Sequence, residues 1–150
     1  MVFDLSGNVV ASSQQELPQF YPQPGWVEQD PLQILNTVTQ CMKHTAASMT
    51  ENNLSVADIQ SIGITNQRET TLVWDKTTGE PLHNAIVWLD TRTQSLVDEF
   101  LSHSSKEELQ HLCGLPISTY FSALKLKWLL KNIPDVQKAA DENRLQFGNF

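Results

Sequence analysis

The chain is short of basic residues, of cysteine and of long apolar runs, and each shortage excludes a class of function. Lys and Arg number 10 against 17 Asp and Glu, giving a net charge of −7 and a pI near 4.9. The basic residues are scattered along the chain. A nucleic-acid backbone is held by a concentrated positive face, so no nucleic-acid partner is expected. No apolar stretch reaches membrane-spanning length, and no basic region followed by an apolar core marks a signal peptide, so the expectation is a soluble, cytoplasmic protein without a transmembrane segment. Cys41 and Cys113 lie far apart, and neither they nor His44, His83, His103 and His111 show the spacing of metal ligands. No metal site is expected from them. Cys41 sits among apolar residues of a predicted helix and reads as a reduced core thiol.

What is present suits a single α/β domain. With 150 residues and 40% hydrophobic content, the chain can bury about two-thirds of its unfolded surface around one core. Its most informative stretch is Gly63-Ile64-Thr65-Asn66-Gln67-Arg68-Glu69-Thr70-Thr71-Leu72-Val73-Trp74-Asp75. An apolar run over 59–64 stops at four large polar residues, and a β-prone run over 70–74 follows at once. The pattern predicts strand, polar corner, strand. Arg68 offers a planar fork of donors and Glu69 offers only acceptors, so the pair can satisfy a group that both donates and accepts, as an alcohol or a vicinal diol does. An Arg-Glu pair taken alone is usually a solvated ion pair on a turn. Here, however, the corner carries no Gly, Pro, Asp or Ser, which surface turns favour.

Elsewhere, Asp4-Leu5-Ser6-Gly7-Asn8 predicts a turn between a very short first strand and a second beginning at Val9. Asp30 followed by Pro31 marks a helix start, with Leu35, Val38, Cys41, Met42 and Met49 as its core face and Asn52-Asn53 as its end. Ser55 caps a short helical turn. Residues 76–81 predict a hairpin turn between strand 70–74 and strand 85–88. Helices are expected over 94–101, after the capping-box residue Ser105 as far as Gly114, over 122–133, and briefly after Pro134. In helix 122–133 the leucines and Trp128 read as core, while Lys125, Lys127 and Lys131 keep the other face wet.

Several of these stretches, in this order, resemble the glycerol kinases of the FGGY carbohydrate kinase family. They are Pro24-Gly25-Trp26-Val27-Glu28-Gln29-Asp30-Pro31, Ile62-Gly63-Ile64-Thr65-Asn66-Gln67-Arg68-Glu69-Thr70-Thr71, Thr78-Gly79-Glu80-Pro81, Asn84-Ala85-Ile86-Val87-Trp88, and Gly114-Leu115-Pro116-Ile117-Ser118-Thr119-Tyr120-Phe121-Ser122-Ala123. The resemblance runs through essentially the whole chain. It implies an α/β fold, part of an actin- and hexokinase-like (ribonuclease H-like) ATPase domain with a mixed sheet flanked by helices. The activity it implies is ATP-dependent phosphorylation of glycerol to glycerol 3-phosphate, with ATP and Mg²⁺ bound by other parts of the full-length protein, which is expected to form homo-oligomers.

Carried over residue by residue, Arg68 and Glu69 match the pair that holds the glycerol hydroxyls, Trp88 an aromatic wall against the carbon backbone, and Tyr120 a further hydroxyl contact. The Asn-Gln-Arg-Glu-Thr-Thr run favours glycerol over xylulose or ribulose. The resemblance also places the family's first strand and phosphate loop, its catalytic-base Asp and its ATP-binding second domain outside residues 1–150. No catalytic or cofactor-binding residue is therefore expected in this chain, which would be inactive alone and unstable for want of a central strand. The alternatives are a non-catalytic, truncated binding protein related to glycerol kinase, and another FGGY sugar kinase.

Overall fold

The computed structural model describes residues 1–103 and 105–150. Their contacts gather into two compact units: 1–18 with 32–65, and 19–31 with 66–150.

In the first unit, β1 (Val2–Phe3) and β2 (Val9–Ala11) form an antiparallel hairpin. The Asp4 carboxylate accepts from the Asn8 amide, and from the backbone N–H groups of Asn8 and Ser6, and these bonds, the Asn8 amide foremost, hold its pKa below the ordinary value. Gly7 supplies the positive φ that the turn requires. Helix α1 (Pro31–Glu51) starts and stops where the sequence indicated, with Asn53 in the left-handed region beyond it. Ser55 caps the short 3-10 turn Val56–Asp58.

Two expectations fail in this unit. Helix α1 buries Ile34, Thr45 and Met49, whereas Leu35, Val38 and Met42 are exposed and Cys41 is only half-buried. The apolar residues of α1 spread over more than one face, and packing selected the stripe through Ile34 and Met49. Residues 59–64 form no strand, and Ile62 and Ile64 are 76% and 92% exposed. β-propensity becomes a strand only where a neighbour takes up the backbone N–H and C=O groups, and among the described residues none pairs with this run.

The second unit is a four-stranded antiparallel sheet in the order β3-β5-β4-β6, with β3 (Glu28–Gln29), β4 (Thr71–Asp75), β5 (Ala85–Ile86) and β6 (Leu145–Asn149). The turn after β4 is closed by Gly79 N–H donating to the Asp75 carbonyl and Asp75 N–H donating to the Glu80 carbonyl. Helices α2 (Gln94–His103), α3 (Lys106–Cys113), α4 (Ser122–Asn132) and α5 (Pro134–Asp141) follow the sequence signals closely. Ser105 caps α3, Gly114 ends it in the left-handed conformation, and Ile133 separates α4 from Pro134. Val73 and Ile86 from the sheet pack with Leu129 of α4 and Val136 of α5; Leu96, Val97 and Leu124 form a second cluster.

Between sheet and helices lies a buried ion cluster. The Arg92 guanidinium donates to both Asp90 carboxylate oxygens and, at 2.9 Å, to Glu28 Oε1. It sits 4.0 Å from the Trp26 ring centroid and 4.9 Å from that of Trp128. Asp90 also accepts the Val27 N–H at 2.6 Å, and Asn84 donates to Glu28 Oε2. Removing one partner of such a cluster strands a charge away from water. We therefore expect Asp90→Ala to lower the unfolding free energy by about 3–5 kcal/mol in urea melts, whereas a loss below about 1 kcal/mol would show that the cluster is not structural.

Candidate polyol site

The corner that the sequence singled out is a tight turn leading into β4. Thr70 N–H donates to the Gln67 carbonyl, and Glu69, third residue of the turn, has φ 63. A positive φ there is the conformation for which type II turns take Gly or Asn. A glutamate held in it costs about 1–3 kcal/mol and persists only where its surroundings over-determine it.

Those surroundings are visible. The Glu69 carboxylate lies at the N-terminus of α4, where Oε2 accepts from the Ser122 N–H at 2.7 Å and the Ser122 hydroxyl at 2.6 Å. The first N–H groups of a helix have no partner within it and suit an anion. Oε1 receives no hydrogen bond among the described residues, so one acceptor oxygen stays free. The Glu69 carbonyl accepts from Lys125 Nζ at 2.9 Å and more weakly from the Thr71 hydroxyl. Asn149 of β6 donates to the Ser122 hydroxyl and the Thr70 carbonyl, joining the sheet edge to the same support.

Beside the turn is a pocket of about 280 Å³ lined by Gln67, Arg68, Trp88 and Tyr120. That volume is at the lower end for small-molecule sites and suits a small ligand. Three of the four residues expected from the resemblance line it, and the fourth, Glu69, is anchored beside them. Arg68 is exposed and makes no hydrogen bond or ion pair among the described residues, so its donors are available. Trp88 and Tyr120 meet edge to face with ring centroids 6.1 Å apart, and Trp88 is 45% exposed. Together they offer an apolar wall beside a donor fork. Among the described residues no group of His, Cys, Asp and Glu could hold a metal ion, and no helix is long and apolar enough to cross a membrane.

Sequence reasoning missed the supports. Gln67 lines the pocket with its amide held by Gln29 and Thr70, and the buried Thr70 hydroxyl accepts the Trp88 N–H at 3.1 Å. This chain fixes the wall relative to the corner. Lys125, expected on a wet face, is 0% exposed. The available signal was position on the helix: Lys125 falls between Leu124 and Leu129 around its circumference, so an apolar face wide enough to hold both buries the lysine too.

Burial pushes the Lys125 amine down from 10.5 to about 8, against the opposing pull of the Glu69 and Asp90 carboxylates and with a smaller push from Arg92. Below about pH 8 the amine is charged in folded and unfolded chains alike. As pH rises from about 8 toward 10.5 the folded chain sheds the proton first, which relieves the burial cost and adds stability. Paired urea melts at about pH 7.5 and about pH 9.5 should therefore show the stability difference between wild type and Lys125→Met moving in favour of wild type; an unchanged difference would count against a depressed pKa.

Residues 1–147 match the FGGY family of carbohydrate kinases, N-terminal domain. The chain is 50% identical to a probable glycerol kinase of Caenorhabditis elegans, over 99% of this chain and 30% of that protein. It is 47% identical to a glycerol kinase of Brucella anthropi, over 100% of this chain and 30% of the relative. It thus spans about 30% of the length of the curated relatives it matches. The crystal structure of Plasmodium falciparum glycerol kinase with ADP superposes with a TM-score of 0.91 at 39% identity, covering 98% of this chain and 29% of that one. The architecture is accordingly the α/β one of the actin- and hexokinase-like ATPases. With a family match over nearly its full length and agreement in both sequence and structure, the chain belongs to the FGGY family of carbohydrate kinases.

Proposed function

We propose that residues 1–150 supply the polyol-binding part of an ATP-dependent glycerol kinase, which converts glycerol to glycerol 3-phosphate. The observation that carries this reading is the small pocket with an unengaged guanidinium, an aromatic wall and a carboxylate oxygen left free beside it. Arg68 donates to two neighbouring hydroxyl oxygens, Glu69 Oε1 accepts a hydrogen bond from a hydroxyl, the indole of Trp88 lies against the carbon chain, and the Tyr120 hydroxyl completes the set. Identity to proteins named glycerol kinase supports the choice of polyol.

Phosphoryl transfer requires in-line alignment of hydroxyl and phosphorus, neutralisation of phosphate charge, and a base for the hydroxyl proton. These four side chains provide alignment. Glu69 is not assigned as the base, because its carboxylate is already engaged by Ser122 at a helix terminus. We assign the nucleotide, its metal ion and the base to the full-length protein outside this segment. By the same reading the full-length enzyme is cytoplasmic and self-associating. Polar groups built for hydroxyls are left unpaired by an analogue that lacks one, so the pocket confers specificity as well as affinity.

The test is ATP consumption by the full-length enzyme with glycerol, xylulose or ribulose. Turnover should depend on glycerol. Each charge-assisted hydrogen bond is worth about 1.5–3 kcal/mol, so Glu69→Gln should lower kcat/KM for glycerol by about ten- to two-hundredfold, and Arg68→Ala, which removes two such bonds, by at least about a hundredfold, while the protein stays folded. Preference for a ketose, or unchanged kinetics in both variants, would remove the glycerol assignment.

A further inference from the structure

Lys125 is a buried cation without a buried counter-ion in contact. Its side chain is 0% exposed, and among the described residues its ammonium makes no ion pair. Instead it donates to two backbone carbonyls, those of Glu69, at 2.9 Å, and Tyr120. Nζ also lies 5.8 Å from the Tyr120 ring centroid. Burying a charge in this way is costly, and an apolar residue of similar volume would satisfy the helix face without that cost.

The two carbonyls belong to the two segments that bring Arg68 and Tyr120 to the pocket. Glu69 follows Arg68 in the strained turn, and Tyr120 comes from the segment just before α4. No strand pairing joins these segments. Among the described residues their direct hydrogen-bonded links are Ser122 on the Glu69 carboxylate and Lys125 on the two carbonyls. Ser122 fixes a side chain; Lys125 fixes main chain on both sides.

We infer that Lys125 is a positioning residue for the polyol, setting the span between the Arg68-Glu69 turn and Tyr120 without touching the substrate. The inference rests on the glycerol assignment of the pocket. A change in span misplaces the Arg68 donors relative to the Tyr120 hydroxyl, which weakens hold on glycerol and leaves nucleotide binding alone. The proton on Lys125 takes no part in transfer.

The experiment is steady-state kinetics of the full-length enzyme carrying Lys125→Met, which keeps length and volume and removes the donors, with Arg68→Ala as the reference. KM for glycerol should rise about tenfold or more while KM for ATP stays within about twofold; a merely structural role would lower the active fraction, and so apparent kcat, leaving both KM values in place. Preference for glycerol over propane-1,2-diol should narrow. If circular dichroism shows Lys125→Met unfolded, Lys125→Gln, which keeps a donor, is measured in the same way and should be intermediate. An unchanged glycerol KM in a folded variant, or failure of both variants to fold, overturns the positioning role. If Arg68→Ala is impaired while Lys125→Met is not, only that role falls; if neither is impaired, the glycerol assignment falls with it.

Discussion

A guanidinium held between two carboxylates and two indole rings organises the larger unit. Arg92 draws Asp90, Glu28, Trp26 and Trp128 to one point, and these come from the segment before β3, β3 itself, the loop after β5 and α4. Two charges of one sign and one of the other, all out of water, are tolerable only when nearly every lone pair and proton is used. Asp90 meets that condition by accepting the Val27 and Arg92 N–H groups besides the guanidinium, whereas Arg92 Nη1 has no hydrogen-bond partner among the described residues. Segment 25–27 is thereby tied to 87–91, where Val87 N–H and Thr91 N–H also donate to the Val27 and Gly25 carbonyls. Trp88 lies inside that clamped loop. The aromatic wall is thus held by a charge cluster that takes no part in the pocket.

On the other side, the corner is held by α4. Helix start, carboxylate and buried ammonium converge on Glu69: Ser122 on its side chain, Lys125 on its carbonyl. The corner therefore has little independent stability, and its conformation follows α4. α4 in turn is seated by Leu129 in the core shared with Val73 and Ile86. Packing energy from apolar contacts is in this way converted into the placement of polar groups that could not hold themselves in that arrangement.

Much of this could be read from residues whose effect is local. Ser105, Gly114, Pro31 and Pro134 mark helix ends because caps and missing N–H groups act within one turn. The corner was legible because four large polar residues between β-prone runs are unusual, and the resemblance assigned Trp88 and Tyr120. What could not be read depends on partners distant in sequence. β6, whose Leu145-Gln146-Phe147 alternation is cut short by Gly148 and Asn149, is a strand because β4 offers it an edge. Residues 59–64 have stronger β-propensity and are no strand among the described residues. Lys125 was assigned to solvent on the identity of its side chain, whereas its neighbours on the helix decided its burial.

The left-handed backbone at Glu69 sets selection for stability against selection for activity. Glycine or asparagine would relax the turn, and neither restores a carboxylate to the helix terminus. Where relief of the backbone outweighs the two lost bonds to Ser122, a laboratory population enriched only for heat resistance would drift toward those residues at this position, and the corner would be among the first parts of the molecule to decay. The same drift would go unseen in any screen scored by expression or solubility. Glu69 thus marks a place where an engineered consensus built for robustness and one built for turnover should diverge.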